Sequence, residues 1–132
     1  MNKLLIFILI CFYVSLSFHT KAQRAEKAKP KLMYGTASYY ANKFKGRKTA
    51  SGEIFSQERL TAACNVLPLG TWIRVTNLRN KLSVQVKVND RLHAKTKRIV
   101  DLTRSGAQKL KFVNSGLARV KVEVLGRKRP EN

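Results

Sequence analysis

Apolar and polar residues alternate along three stretches of the chain, and each alternation predicts a half-buried strand. Residues 71–77 (TWIRVTN) set Ile73 and Val75 against Arg74 and Thr76. Residues 82–88 (LSVQVKV) put Leu82, Val84, Val86 and Val88 on one face and Ser83, Gln85 and Lys87 on the other. Residues 118–125 (ARVKVEVL) turn Val120, Val122 and Val124 inward. A period of two with β-branched residues on the apolar side fits a pleated ribbon wetted on one face. Leu78-Arg79-Asn80-Lys81 then makes a hairpin between the first two strands. Shorter signals at 33–40, 60–63 and 98–101 bring the expected strands to six. One helix is predicted, with Thr103 as N-cap and Ala107 and Leu110 on its apolar side, running through Lys111. Six short strands and one helix suggest a mainly β fold closed into a small barrel, because closure removes the edges such strands would expose. Strand order is not contained in the periodicity.

The N-terminus follows a different pattern. Lys3 precedes an unbroken apolar run from Leu4 to Val14, followed by Ser15-Leu16-Ser17-Phe18. A short positive region, an apolar stretch and small residues describe a secretory signal peptide. The run falls short of the roughly 20 apolar residues a membrane-spanning helix needs, so no stable membrane span is expected. Thr20-Lys21-Ala22 offers a cleavage point that makes residues 1–22 the signal. The bulky Ile8-Leu9-Ile10 argues against an outer-membrane lipid anchor at Cys11. Export to the periplasm or cell envelope is therefore the expectation. Residues 23–31, charged and containing Pro30, read as a basic disordered tether. The folded domain is placed at 32–125, and residues 126–132 (GRKRPEN) form a basic tail.

Composition sharpens this picture in one respect. The chain carries 27 Lys and Arg against 7 Asp and Glu, a formal net charge of +20. Such a field attracts polyanions, and export removes nucleic acid from the candidates. The anions of the envelope remain: peptidoglycan carboxylates, lipopolysaccharide phosphates and acidic phospholipid. With Cys11 inside the signal, Cys64 stands alone in the mature chain, so no internal disulfide can form. Two His and one mature Cys make no metal-ligand cluster, and neither a metal nor another cofactor is expected. The domain is expected to be monomeric.

Carboxylates are scarce enough to sort by elimination. The domain holds five: Glu53, Glu58, Asp90, Asp101 and Glu123. Glu123 lies on the outer face of a strand with Arg119 and Lys121 and reads as a solvated pair partner. Glu58, in Ser56-Gln57-Glu58-Arg59, reads as surface. Asp101 falls between a strand and a helix start, where a carboxylate can cap free N–H groups. Glu53 follows the small-residue run Thr49-Ala50-Ser51-Gly52, and Asp90 follows the apolar strand 82–88. Loops at strand ends are where a rigid barrel displays functional groups. Two carboxyls brought together there could do acid/base work on a glycosidic bond. The residues alone also allow Asp90 to be an ordinary turn Asp.

Residues 36–64 (TASYYANKFKGRKTASGEIFSQERLTAAC), 67–80 (LPLGTWIRVTNLRN), 86–91 (VKVNDR) and 98–110 (RIVDLTRSGAQKL) together resemble the rare lipoprotein A (RlpA) family. The resemblance runs in order over essentially all of 34–125. It implies a double-psi β-barrel, the fold shared with expansins and some endoglucanases. It also implies an endolytic lytic transglycosylase that cuts peptidoglycan glycan strands, preferring those without stem peptides, and leaves 1,6-anhydro-muramyl ends. On that resemblance Asp90 is the leading acid/base and Glu53 its partner. Tyr39, Tyr40, Asn89 and Arg91 are candidates for binding the strand. For Tyr39 and Tyr40 plain strand alternation, one in and one out, serves equally well.

The sequence departs from the family pattern in three places. Cys64 stands where the family commonly has His, Ser56 where it has Asp, and Leu92-His93 where Gly-Pro usually follows the VNDR segment. Cys cannot reproduce the donor and acceptor of an imidazole, and a lone Cys most often behaves as a small buried hydrophobe. His93 could supply an imidazole from another loop. Two function classes follow: a glycan-cleaving enzyme, carried by Glu53 and Asp90, and an expansin-like barrel that binds glycan without cutting it, favoured by Cys64 and Ser56.

Overall fold

The structure is a computed structural model that describes residues 2–3 and 29–132. The expected signal peptide, apart from residues 2–3, and residues 23–28 of the tether lie outside the described residues. Six strands, β1 (Leu32–Tyr39), β2 (Thr61–Ala63), β3 (Trp72–Asn77), β4 (Ser83–Asp90), β5 (Val100–Leu102) and β6 (Ala118–Gly126), close into a barrel in the order β1-β5-β2-β4-β3-β6. β1 pairs with β5, and β2 with β4, in parallel; the other four pairings are antiparallel. Inward positions follow the alternation: Ile73, Val75, Val86, Val88, Val120 and Val122 are essentially fully buried. Leu82 departs from it. It precedes β4 at the end of the 78–81 turn and stays 36% exposed.

One helix, α1 (Arg104–Lys109), packs on the barrel. Thr103 is its N-cap, as the sequence predicts: its Oγ1 accepts from the Gly106 N–H at 3.2 Å and donates to the Arg59 carbonyl at 2.6 Å. The helix ends two residues earlier than the apolar spacing suggests, because Lys111 turns left-handed at φ 55°. The Lys111 and Phe112 amides then reach back to the Gln108 and Ala107 carbonyls, the closing pair of a Schellman motif. Leu110 is the C-cap, and its carbonyl accepts from the side-chain amides of Asn77 and Asn80, both at 2.9 Å. The β3–β4 turn is thereby fastened to the helix end. Opposite, Gly35 on β1 admits Ile99, since a Cβ there would lie 2.6 Å from the Ile99 Cγ2.

Candidate functional site

Asp90 owes its position to an irregularity in β4. Strict alternation after Val84, Val86 and Val88 would turn residue 90 into the core. The register against β2 shifts instead, from Ala62 opposite Val88 to Ala63 opposite Asp90. The extra residue, Asn89, is buried at 3% exposure, and Asp90 regains the outer side. A bulge of this kind re-aims a side chain at a strand end.

A small hairpin then closes over that strand end. Lys48 and Ile54 form its bridge, the Thr49 N–H donates to the Glu53 carbonyl at 2.8 Å, and Gly52 takes φ +88° at the turn. Its tip docks on β4: the Ser51 N–H donates to the Asn89 carbonyl at 3.0 Å, and the Ala50 N–H to Asp90 Oδ1 at 2.8 Å. Asp90 Oδ1 also accepts from the Arg91 N–H at 2.8 Å, and Oδ2 accepts from the Tyr40 hydroxyl at 2.6 Å. Three donors thus fix one carboxyl. Burial, followed by the hydrogen bond to Asp90, pushes the Tyr40 phenol well above its ordinary range, which keeps its proton in that bond. The Tyr40 ring is itself wedged, 4.3 Å from Phe55 and 5.7 Å from Phe44 between centroids.

These groups border a cleft of about 580 Å³. Tyr39 lines it too, anchored by its hydroxyl to the Val113 carbonyl at 2.9 Å. Both tyrosines are half-buried and line the cleft, and Tyr39 also packs against the core, its ring edge-on to Phe112. Arg91 lines the cleft, but its guanidinium is turned to the carbonyls of Cys64 and Leu67 and braces the 64–67 loop. His93, Arg98 and Asp101 complete the far wall. Asp101 is not the helix cap expected from its place in the sequence. It sits in β5, bound by the Arg98 guanidinium at 2.8 and 3.1 Å, while Thr103 caps α1. Periodicity could not have found this, because only the parallel β1–β5 pairing lays Asp101 beside Ser38, next to the tyrosines.

Glu53 lines a different cleft, of about 760 Å³, on the outer face of β3 and β4. Its carboxylate accepts from the Ser51 hydroxyl at 3.1 Å and meets the Lys87 ammonium at 3.6 Å. Trp72 and Arg74 share this cleft. Among the described residues there is no group of three or more His, Cys, Asp and Glu side chains able to hold a metal ion, and no helix is long and apolar enough to cross a membrane.

Residues 33–122, which contain every one of these side chains, match the sequence family described as lytic transglycolase. The chain belongs to this family. It is 41% identical over 113 residues to the endolytic peptidoglycan transglycosylase RlpA of Pasteurella multocida, covering 86% of this chain and 38% of that one. To the RlpA of Neisseria meningitidis it is 48% identical over 89 residues, 67% of this chain and 37% of the relative. To that of Pseudomonas aeruginosa it is 50% identical over 91 residues, 69% and 27%. The chain spans between about a quarter and two-fifths of the length of these curated relatives. Among solved structures, the Streptomyces papain inhibitor aligns with a TM-score of 0.59 at 19% identity, covering 71% of this chain and 94% of that one. An expansin of Clavibacter michiganensis aligns with a TM-score of 0.59 at 20% identity, covering 77% and 53%. At those identities the likeness shows the fold alone, a double-psi β-barrel. An inhibitor and an expansin on one barrel also show that the barrel does not dictate the chemistry.

Within this RlpA family the three departures can now be located. Cys64 is buried at 1% exposure in the core, its N–H bonded to the Asp90 carbonyl at 3.0 Å. Position 64 is therefore coupled to Asp90 through the backbone, while its thiol packs as a small hydrophobe. Ser56 faces a third cavity, and its Oγ accepts from the Glu58 N–H at 3.3 Å. His93 lines the Asp90 cleft, where its Nδ1 accepts from the Lys95 N–H at 3.3 Å.

Proposed function

We propose that the domain is an exported lytic transglycosylase of the cell envelope that cleaves peptidoglycan glycan strands, preferring strands without stem peptides. The observation that carries this reading is the triply bonded Asp90 carboxyl in an aromatic-walled cleft, on a chain of the RlpA family. Asp90 acts as the acid/base. A carboxylic acid there protonates the leaving oxygen as the bond from muramyl C1 breaks and positive charge grows on the sugar. The C6 hydroxyl of the same muramyl residue closes on C1 and returns its proton to the carboxylate. No water is consumed, and the product end is a 1,6-anhydro sugar. Tyr40 holds Asp90 Oδ2 and Tyr39 lines the cleft beside it; Asn89, expected to bind the strand, is buried in the bulge and instead receives the hairpin tip through its carbonyl. Glu53 is the second carboxyl of this reading: the short hairpin that bears it is the one whose tip binds Asp90, so a strand crossing that tip meets both. His93 supplies the imidazole that position 64 lacks.

A second reading, a non-catalytic glycan-binding barrel, is favoured by the burial of Cys64 and by the placing of Glu53 and Asp90 in different clefts. The experiment separates the two. Purified protein is incubated with amidase-stripped glycan strands, and products are read by mass spectrometry. The enzyme reading expects 1,6-anhydro ends from wild type, and a loss of them in Asp90→Asn and Glu53→Gln. Strands bound and sedimented without any anhydro product would leave the binding barrel standing instead.

A further inference from the structure

The chain's positive charge is unevenly spread between its clefts. In the Asp90 cleft, Arg98 is matched by Asp101, and the Arg91 guanidinium is committed to backbone carbonyls. The cleft on the outer face of β3 and β4 is lined by Arg59, Arg74, Lys87, Lys109 and Arg129, with Glu53 as its only acidic side chain. Two of these cations are paired, Lys87 with Glu53 at 3.6 Å and Arg74 with Glu123 at 3.1 Å. Arg59, Lys109 and Arg129 have no carboxylate within ion-pair distance among the described residues. The cleft also holds an aromatic ring. Trp72 lies opposite Lys87 across the β3–β4 ladder, and the Arg129 guanidinium sits 5.8 Å from the Trp72 ring centroid.

From this arrangement we propose that the Trp72 cleft is a second glycan subsite, one that recognises the free lactyl carboxylates of muramyl residues. The proposal rests on the cleavage reading above for the identity of the polymer, and it adds where a stripped strand is held and by which chemistry. Removing a stem peptide turns a lactyl amide into a carboxylate, so a stripped strand carries repeated negative charges that an intact strand has tied up in amide bonds. A concave site lined by an indole and several cations suits a pyranose chain with carboxylates at its side. Guanidinium groups are matched to carboxylates through paired N–H donors. The hairpin bearing Glu53 joins this cleft to Asp90, since its Ala50 amide is bonded to that carboxyl. One strand can therefore be gripped at Trp72 and presented at Asp90. The selectivity for stripped strands then has a physical source, electrostatic and away from the reacting bond.

Trp72 is the sole tryptophan of the sequence, so its fluorescence reports on this cleft alone. The full chain carrying Asp90→Asn is titrated with amidase-stripped strands, and with the same strands after their carboxylates are converted to methylamides. The proposal expects a change in Trp72 emission with the free-carboxylate strands and about tenfold weaker binding of the methylamides, the yield of a few partly exposed charge contacts. The double variant Arg59→Gln/Lys109→Gln, both exposed positions, should narrow the difference between the two strand types, Arg129 remaining in place. Equal affinity of the unsubstituted cleft for both strand types overturns the proposal. So does strand binding that leaves Trp72 emission unchanged, or a response to acidic phospholipid vesicles alone. The two readings fail separately. Anhydro products from wild type with no carboxylate-dependent Trp72 signal sink the subsite and spare the cleavage. A carboxylate-dependent signal without anhydro products does the reverse.

Discussion

Strand β4 serves two clefts that are built on opposite principles. Around Lys87 the strand is regular, its outward side chains face solvent, and charges of mostly one sign gather about a half-buried tryptophan. Three residues on, at Asp90, a bulge interrupts the ladder, a hairpin tip docks, and one carboxyl is fixed by three hydrogen bonds. The first arrangement tolerates movement, because long-range attraction to an anion does not need ångström placement. The second does not. Acid/base chemistry requires the proton-carrying atom within hydrogen-bond reach of the reacting oxygen. On the proposed reading, gripping the strand falls mainly to one end of β4 and proton transfer to Asp90 at the other, with Glu53 on the hairpin between them, and the differences are open to direct attack.

The largest effect is expected at Asp90. Asp90→Asn should lower the rate of anhydro-end formation by about 10³-fold, within the usual range for a general acid/base, and leave Trp72 emission on strand binding unchanged. Next comes Tyr40→Phe, which removes a donor from Asp90 Oδ2 and should cost about 1–3 kcal/mol of stability by urea unfolding. The same variant carries a pH signature. The folded-state pKa of Tyr40 is raised, so its contribution to stability is complete below the unfolded value near 10 and is lost as pH rises above it. Wild type should lose stability on going above about pH 10, and Tyr40→Phe should lose less of it there. Gly52→Ala forces a Cβ into the left-handed turn of the hairpin and should cost about 1 kcal/mol, with a slower rate and intact strand binding. Smallest of all is Arg74→Gln. Its ion pair with Glu123 is partly exposed, so thermal stability should change by no more than about 1 kcal/mol.

Much of the barrel was legible because its inward faces are written in valine at every second position. The β3, β4 and β6 ranges agree with the alternation to within about two residues, and Thr103 caps the helix it was expected to cap. The misreadings come from geometry that alternation does not encode. Asp101 looks like a cap only while its partner is unknown; Arg98, three residues before it, takes its carboxylate, and the parallel pairing lays β5 beside β1. The early end of α1 depends on a left-handed Lys111, where the sequence offers no glycine as a signal. Asp90 and Glu53 could be singled out by elimination among few carboxylates and by family resemblance. Their assignment to separate clefts could not, because the bulge at Asn89 decides which way residue 90 points.

The division of labour along β4 is tested most directly by following binding and cleavage together on one substrate. Stripped glycan strands are given to wild type and to Asp90→Asn, with Trp72 emission and 1,6-anhydro ends measured in the same samples. The account predicts the same emission change and midpoint for both proteins, with anhydro ends from wild type only. Anhydro ends from Asp90→Asn at the wild-type rate, or a binding signal that disappears with Asp90, would contradict it.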